Sequence, residues 1–91
     1  MTKDELIGSI VKKTGIENRE VTMIIDAFTS KIKEKLKAGE KVVIPGFGSF
    51  VLSLRKEKTY PHPKTGQMQT LPERVLPHFK AGGDLQKTLK T

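Results

Sequence analysis

The sequence contains no cysteine and no tryptophan, and only one tyrosine. Without cysteine the chain can form neither a disulfide framework nor a cysteine-based metal site, which agrees with a reducing compartment. No long apolar run follows the charged N-terminal segment, so we expect neither a secretory signal nor a membrane span. The scarcity of aromatic rings also leaves little for stacking single-stranded RNA bases.

Nothing in the sequence indicates an enzyme. There is no recognisable arrangement of serine, histidine and aspartate, no phosphate-cradling glycine loop and no metal-ligand spacing. The glycines of Gly46-Phe47-Gly48 are better explained by a tight backbone bend, and His62 and His78 lie too far apart in the sequence to suggest a metal site. We predict no catalytic residue, no metal, no cofactor and no small-molecule substrate.

Positive charge is concentrated in the second part of the chain. Residues 55–91 hold eight basic and three acidic side chains, whereas the longer stretch 1–54 holds nine and seven. A polyanion is the natural partner for such a surface. On charge alone, a merely solubilising surface is an equally good explanation.

Two helices are predicted at the N-terminus. A capping box at Thr2 and Glu5, apolar residues at helical spacing and a stop at Gly15 predict a helix over 3–14. A second helix runs from residue 17 or 18 to just before Gly39. The lysines near its end suit the negative end of the helix dipole, with phosphate contact as the alternative. They are Lys31, Lys33, Lys35 and Lys37.

The remaining chain reads as strands and a last short helix. Two strands are predicted over 41–44 and 47–54, joined by a Pro45-Gly46 turn. An alternating apolar pattern resumes over 75–81. Between them, 55–74 are polar and cationic. The predicted class is therefore α+β: two N-terminal helices, a three-stranded antiparallel sheet with a long protruding β-ribbon arm, and a short C-terminal helix over 83–91.

The sequence of the ribbon predicts which residues of its two strands lie opposite each other. If Pro63-Lys64-Thr65-Gly66 forms the hairpin turn, Lys56 faces Glu73, and about nine residues per strand at roughly 3.3 Å each give a reach near 30 Å. Pro61 and Pro72 are tolerated because a two-stranded ribbon has only edges. With so many residues outside the core, oligomerisation is expected.

Pro63 lies at the extreme tip of the ribbon, so the tolerance of edge strands for proline does not explain why a proline is found there. A rigid apolar ring placed there can wedge between base pairs, unstack one step and kink the duplex. The unstacking cost is offset when bent DNA contacts more of the protein surface.

These features together resemble the HU / integration host factor family of bacterial histone-like DNA-bending proteins, over the whole chain 1–91 as a single domain. The family is itself an established example of minor-groove architectural proteins. The resemblance implies an intertwined homodimer or heterodimer, with 1–40 as helical base, 41–54 and 75–81 as sheet and 55–74 as DNA-binding arm. The resemblance is carried by Gly46-Phe47-Gly48-Ser49-Phe50, Arg55, Pro63-Lys64-Thr65-Gly66, Val75, Pro77 and Phe79.

The family's functional positions carry over residue by residue. The resemblance implies that Pro63 takes the intercalating position, that the backbone at Gly46 and Gly48 lies close to phosphates, and that Lys3 lies near flanking DNA. The residues predicted to contact DNA are Lys3, Gly46, Gly48, Arg55, Lys56, Lys58, His62, Lys64, Thr65, Gly66, Arg74 and Lys80.

The tip departs from the family pattern. Tyr60 stands for a usual glycine, Pro61 for an arginine and His62 for an asparagine or lysine. Tyr60 either packs across the ribbon or stacks on DNA, and His62 is either a pH-sensitive contact or an exposed turn residue. Further departures are Lys58 for arginine, and Thr70 and Gly83 at positions that are often basic.

The resemblance implies an architectural protein of the cytoplasmic nucleoid. It would bind double-stranded DNA through the minor groove with little sequence specificity, bend it and compact the chromosome. Bent, nicked or gapped duplexes should bind better because part of the deformation cost is already met. The alternative is a sequence-preferring bender of the integration host factor type. RNA is disfavoured because its wide, shallow minor groove accepts such a ribbon poorly as a kink site.

Overall fold

The computed structural model describes residues 1–90, which form three helices and five strands. This order, with antiparallel pairing throughout, confirms the predicted α+β class. Thr91, at the end of the predicted C-terminal helix, lies outside the described residues. In chain order the elements are α1 (Lys3–Thr14), α2 (Asn18–Lys37), β1 (Val42–Ile44), β2 (Gly48–Arg55), β3 (Lys58–Pro61), β4 (Met68–Leu71), β5 (Arg74–Ala81) and α3 (Gly83–Thr88).

Both ends of α1 follow from local chemistry. The Thr2 hydroxyl accepts a hydrogen bond from the Glu5 amide at 3.3 Å, which satisfies one free donor of the first turn. At the other end Gly15 adopts a left-handed φ of 75° and its amide donates to the Val11 carbonyl at 2.8 Å. The start and stop read from the sequence are both confirmed.

The chain divides into two compact units, Met1–Glu34 and a second that begins at Lys35. In the first unit Ile7 and Val21 are each only 3% exposed, and they are the only buried apolar side chains among the described residues. By contrast Met23, Ile24 and Phe28 of α2 are all exposed. A helix with an open apolar face of this kind requires a further surface to cover it.

The second unit contains a three-stranded antiparallel sheet in the order β1-β2-β5. Its register places Phe50 opposite Phe79 and Leu54 opposite Val75, so the alternation in the sequence does create one apolar face. The Phe50 and Phe79 ring centroids lie 4.9 Å apart and form the centre of that face. Towards the ribbon, Leu54 and Val75 remain exposed.

A tight turn joins β1 to β2 and depends on glycine. The Phe47 amide donates to the Ile44 carbonyl at 3.0 Å, and Gly46 has a φ of 81°, the conformation that a type II turn requires after proline. Two residues later, Gly48 is buried in the central strand. A Cβ at Gly48 would lie 2.5 Å from the Lys80 carbonyl oxygen and 2.6 Å from Cζ of Phe79. The bend predicted from Gly46-Phe47-Gly48 is therefore present, and Gly48 is glycine for reasons of packing.

Gly48→Ala should lower the free energy of unfolding by about 1–3 kcal/mol, because the backbone of β5 has to move away from the added methyl group. Thermal and urea unfolding followed by circular dichroism measure the loss. Gly83→Ala is the matched control, since a Cβ there meets nothing within 4 Å. Equal stability of the two variants would contradict the packing explanation.

Candidate nucleic-acid interface

The ribbon continues the central strand pair of the sheet in a single register. β2 pairs with β5 as far as Arg55 and Arg74, and β3 pairs with β4 starting from Lys58 and Leu71, three residues further along each strand. The pairing therefore passes from sheet to ribbon without a slip. This is the register that the predicted turn requires.

The ladder is nevertheless interrupted between sheet and ribbon. Lys56 and Glu57 on one side, and Pro72 and Glu73 on the other, belong to no strand. Pro61 and Pro77 lie within paired strands, so the proline at position 72 does not by itself account for the interruption. Lys56 is opposite Glu73 by register, yet no ion pair joins them among the described residues. The opposite-charge contact expected from the sequence is therefore absent from this part of the molecule.

The tip is a four-residue loop closed by the backbone of His62. The His62 amide donates to the Gln67 carbonyl at 2.7 Å, and the Gly66 amide donates to the His62 carbonyl at 2.9 Å. Gly66 has a left-handed φ of 72°, which glycine adopts without strain. Pro63 is exposed at the end of the ribbon. The loop residues are Pro63, Lys64, Thr65 and Gly66.

A cation-lined concavity of about 350 Å³ lies where the ribbon leaves the sheet. Four of its lining side chains are cations and the other two are leucines, Leu71 and Leu76. Arg55 and Arg74 are directly opposite each other in the ladder, and like charges so placed are destabilising. The cationic residues of the concavity are Arg55, Lys56, Lys58 and Arg74.

Within residues 1–90 none of these four cations forms an ion pair with a carboxylate. The ion pairs described there are Lys3–Asp26, Lys31–Glu34 and Lys35–Glu40. All six residues precede β1 in the sequence. A cluster of unpaired cations around a concavity is a site for an anion.

The cations also share one face of the sheet. Lys80 is opposite Ser49, and residues two apart along a strand project to the same side, so Lys80 lies on the face that carries Arg74 and Arg55. His78, opposite Val51, is on this face as well. The sheet therefore has one apolar face and one cationic face, on which Val51 and Leu76 also lie, and the cationic face continues into the concavity.

Lys3 differs from the other predicted contacts because it already has a partner. Its Nζ lies 2.5 Å from Oδ1 of Asp26, with both side chains exposed. The hydrogen bond to Asp26 raises the pKa of Lys3 above its usual value. A raised lysine pKa stabilises the folded protein at neutral pH, and this contribution is lost only as alkaline pH passes that pKa. Any anion that binds Lys3 competes with Asp26.

Two features of the site were missed from the sequence although the information was present. The first is that Arg55 and Arg74 face each other. Each was predicted separately as a DNA contact, although the predicted turn already implied that the two are opposite. The second is an interaction of His62: its Nδ1 lies 3.1 Å from the Lys64 amide and 3.4 Å from the Thr65 amide. The available signal for these hydrogen bonds was a histidine at a turn position where asparagine or lysine is usual.

Other kinds of site are not found among the described residues. No three histidine, aspartate or glutamate side chains come together in residues 1–90 in a way that could hold a metal ion. None of the helices described there combines the length and the apolar character that crossing a bilayer demands.

Fold and surface together define a class: a small α+β domain whose two-stranded cationic arm presents a proline at its tip. The sequence matches the family described as "Bacterial DNA-binding protein" over residues 1–90. It is 41% identical over 90 residues to DNA-binding protein HU of Thermotoga maritima, covering 99% of this chain and 100% of that protein. The chain belongs to this family of bacterial DNA-binding proteins.

Other relatives and structures agree. Integration host factor subunit beta of Stutzerimonas stutzeri is 39% identical over 87 residues, with 94% of each chain covered. The fold superposes on the Anabaena HU–DNA cocrystal structure with a TM-score of 0.91 at 29% identity, covering 99% of this chain and 98% of that one. The resemblance recognised in the sequence is confirmed.

Arg74→Gln should affect stability and DNA binding in opposite directions. Removing one of two facing arginines should raise the free energy of unfolding of the free protein by up to about 1 kcal/mol. It should also weaken DNA binding and reduce the slope of log affinity against log salt by about one for each arginine removed. Denaturant titration and fluorescence anisotropy over a salt series measure the two effects.

Two controls accompany this variant. Lys80→Gln removes a cation that faces Ser49, so it should leave stability unchanged. Lys13→Gln, in the last turn of α1, should leave the salt slope unchanged. A less stable Arg74→Gln protein would show that the arginine pair is not repulsive.

Proposed function

We propose that this protein is a dimeric architectural protein that binds duplex DNA through the minor groove, with little sequence specificity, and bends it. The observation that carries the proposal is the ribbon itself, with unpaired cations at its base and an exposed proline at its end. Phosphates supply ion-pair partners for these cations, which form no ion pair with a carboxylate in residues 1–90. The contacts we propose are the residues predicted from the sequence, with Arg55 and Arg74 at their centre.

Ribbon length supports groove binding. Each side of the arm, from Arg55 to Pro63 and from Gly66 to Arg74, has about nine residues, which give a reach near 30 Å, close to the roughly 34 Å of one duplex turn. An arm of this length follows the groove while its base holds phosphates. Such contacts position the protein without reading sequence, because the phosphate backbone is the same at every step.

Pro63 is the residue we propose to hold the kink. Its ring is apolar, rigid and exposed, so inserting it between base pairs costs the protein little conformational freedom. Opening one base step costs a few kcal/mol, which the additional phosphate contacts of a bent duplex offset. In a duplex with a nick or gap, part of the stacking is already lost, so less energy is needed to bend it. Such duplexes should therefore bind more tightly.

Duplex DNA fits the surface better than the alternatives. Tyr60 is half-buried on the ribbon, which favours packing over base stacking and leaves a poor platform for single strands. Relatives of both the HU and the integration host factor type match at similar identity, so a sequence-preferring bender remains the alternative. A more than hundredfold preference for one duplex sequence in competition binding would favour it. We propose no catalytic activity.

The second copy of the chain is the partner that the fold calls for. With two buried apolar side chains described, a monomer lacks the core that a stable domain needs. We propose that the exposed face of α2, formed by Met23, Ile24 and Phe28, is covered by the partner subunit. Two arms then embrace one duplex, and in the cell such a dimer associates with the nucleoid.

Pro63→Ala should reduce the induced bend sharply while lowering affinity for straight duplex only slightly, because alanine keeps the arm contacts but cannot wedge a step. Fluorescence energy transfer between the ends of a short duplex measures the bend, with intact and gapped duplexes compared at several salt concentrations. Pro61→Ala, also on the ribbon but within β3, is the control. An unchanged bend would remove Pro63 from the mechanism.

Phe28→Glu should shift the protein from dimer to monomer and lower its stability, since a charge would then be buried in the proposed interface. Sedimentation equilibrium gives the mass and circular dichroism the stability. Ser30→Glu adds the same charge at an exposed polar position of α2 and should remain dimeric. A Phe28→Glu dimer of normal stability would place the interface elsewhere.

A further inference from the structure

The imidazole of His62 is part of the tip loop and not a free surface group. His62 is half-buried, and its Nδ1 receives the Lys64 amide at 3.1 Å and the Thr65 amide at 3.4 Å. Asparagine and aspartate side chains fold back in this way onto the amides that follow them in Asx turns. Here a ring nitrogen takes the place of the side-chain oxygen.

The geometry fixes the protonation state that the loop needs. An imidazole nitrogen accepts a hydrogen bond only through its lone pair, so Nδ1 must be unprotonated and the ring proton must lie on Nε2. In the imidazolium form both nitrogens are donors. Nδ1–H would then point at two N–H groups, and both hydrogen bonds would be lost.

We propose that His62 is a positioning residue for Pro63, and that its protonation releases the tip and makes DNA bending pH-dependent. Pro63 lies directly between His62 and Lys64, so the bond from the Lys64 amide to Nδ1 closes a small ring around the proline. Neutral His62 holds the wedge ready for insertion, and protonated His62 does not. This inference rests on the proposed function.

The surroundings of His62 offer nothing that would compensate its charge. The other titratable groups on the ribbon strands and loop are Lys58 and Tyr60 on β3 and Lys64 in the loop, and β4 has none. From Lys58 to Leu71 there is no carboxylate. A positive ring therefore gains no ion pair in the ribbon while it loses two hydrogen bonds.

The release should be local. The backbone of His62 also pairs with Gln67 and Gly66, and these bonds do not depend on the ring. The hairpin should therefore stay closed on acidification while the segment from Pro63 to Thr65 loosens. At the same time the new positive charge favours phosphate binding. Bend and affinity should consequently move in opposite directions, which distinguishes this effect from general acid unfolding.

The first test needs no DNA. In ¹⁵N-resolved NMR spectra of the free protein, the Lys64 and Thr65 amides should shift together with the His62 ring as the pH is lowered. The ¹⁵N shift of Nδ1 should identify an unprotonated acceptor at the upper end of the titration. Amides that do not follow the ring, or a proton on Nδ1 in the neutral form, would overturn the inference whatever the protein does to DNA.

The second test measures the bend by energy transfer at about pH 8 and about pH 5.5, between which imidazoles ordinarily titrate. The unmodified protein should lose about half of its bend or more at the lower pH, while its salt slope increases by about one for each charged ring. His62→Asn provides an acceptor that does not titrate, so its bend should be the same at both pH values. His62→Ala should bend weakly at both.

The outcomes separate this inference from the proposed function. If the unmodified protein fails to bend DNA even at the upper pH, the proposed function is wrong. If it bends DNA but responds to pH in the same way as His62→Asn, only the role of His62 is wrong. A His62→Ala protein with a full bend at the upper pH would equally remove His62, and circular dichroism establishes that each variant is folded.

Discussion

The antiparallel pairing of β2 with β5 is the constraint on which the rest of the molecule depends. Its register sets which side chains form the apolar face and which form the cationic face, and a shift of one residue would exchange them. The same register, carried across the interruption at Pro72, brings the turn to Pro63 at the tip. The apolar face of the sheet and the presentation of the ribbon are thus two results of one strand pairing.

Charge is distributed so that the folded chain cannot neutralise itself. Carboxylates occur mainly in the helical part, where they pair with neighbouring lysines such as Lys31 and Lys35. The ribbon keeps its cations, and Arg55 is held against Arg74. The free protein bears this repulsion, and a polyanion removes it. Binding energy therefore comes partly from relieving a strain that folding creates, in addition to the phosphate contacts themselves.

Much of the fold could be predicted because each element has local signals at its ends. Thr2 and Gly15 delimit α1, and the alternation of Phe50, Leu52 and Leu54 identifies the apolar face of a strand. The interruption of the ribbon could not be predicted in the same way. Pro61 lies within the ladder and Pro72 does not, so the presence of a proline in the sequence does not mark where pairing stops.

The site was only partly predictable for a related reason. Sequence patterns identify charged residue types, but which charges remain unpaired depends on their neighbours in three dimensions. Lys3 is a cation of the same kind as Lys58, yet Lys3 has Asp26 beside it. Whether the His62 ring accepts hydrogen bonds from its own loop depends on the loop conformation. Composition and spacing therefore reveal the histidine but not its hydrogen bonds.

The prolines of the ribbon have one more consequence. A two-stranded ribbon has two open edges, each a row of backbone groups on which a further strand could grow. Pro61 and Pro72 remove donors from those rows and lysines add repulsion, so the ribbon is a poor template for other chains. When several copies bind one DNA molecule, such ribbons come close together, and these residues disfavour strand pairing between them.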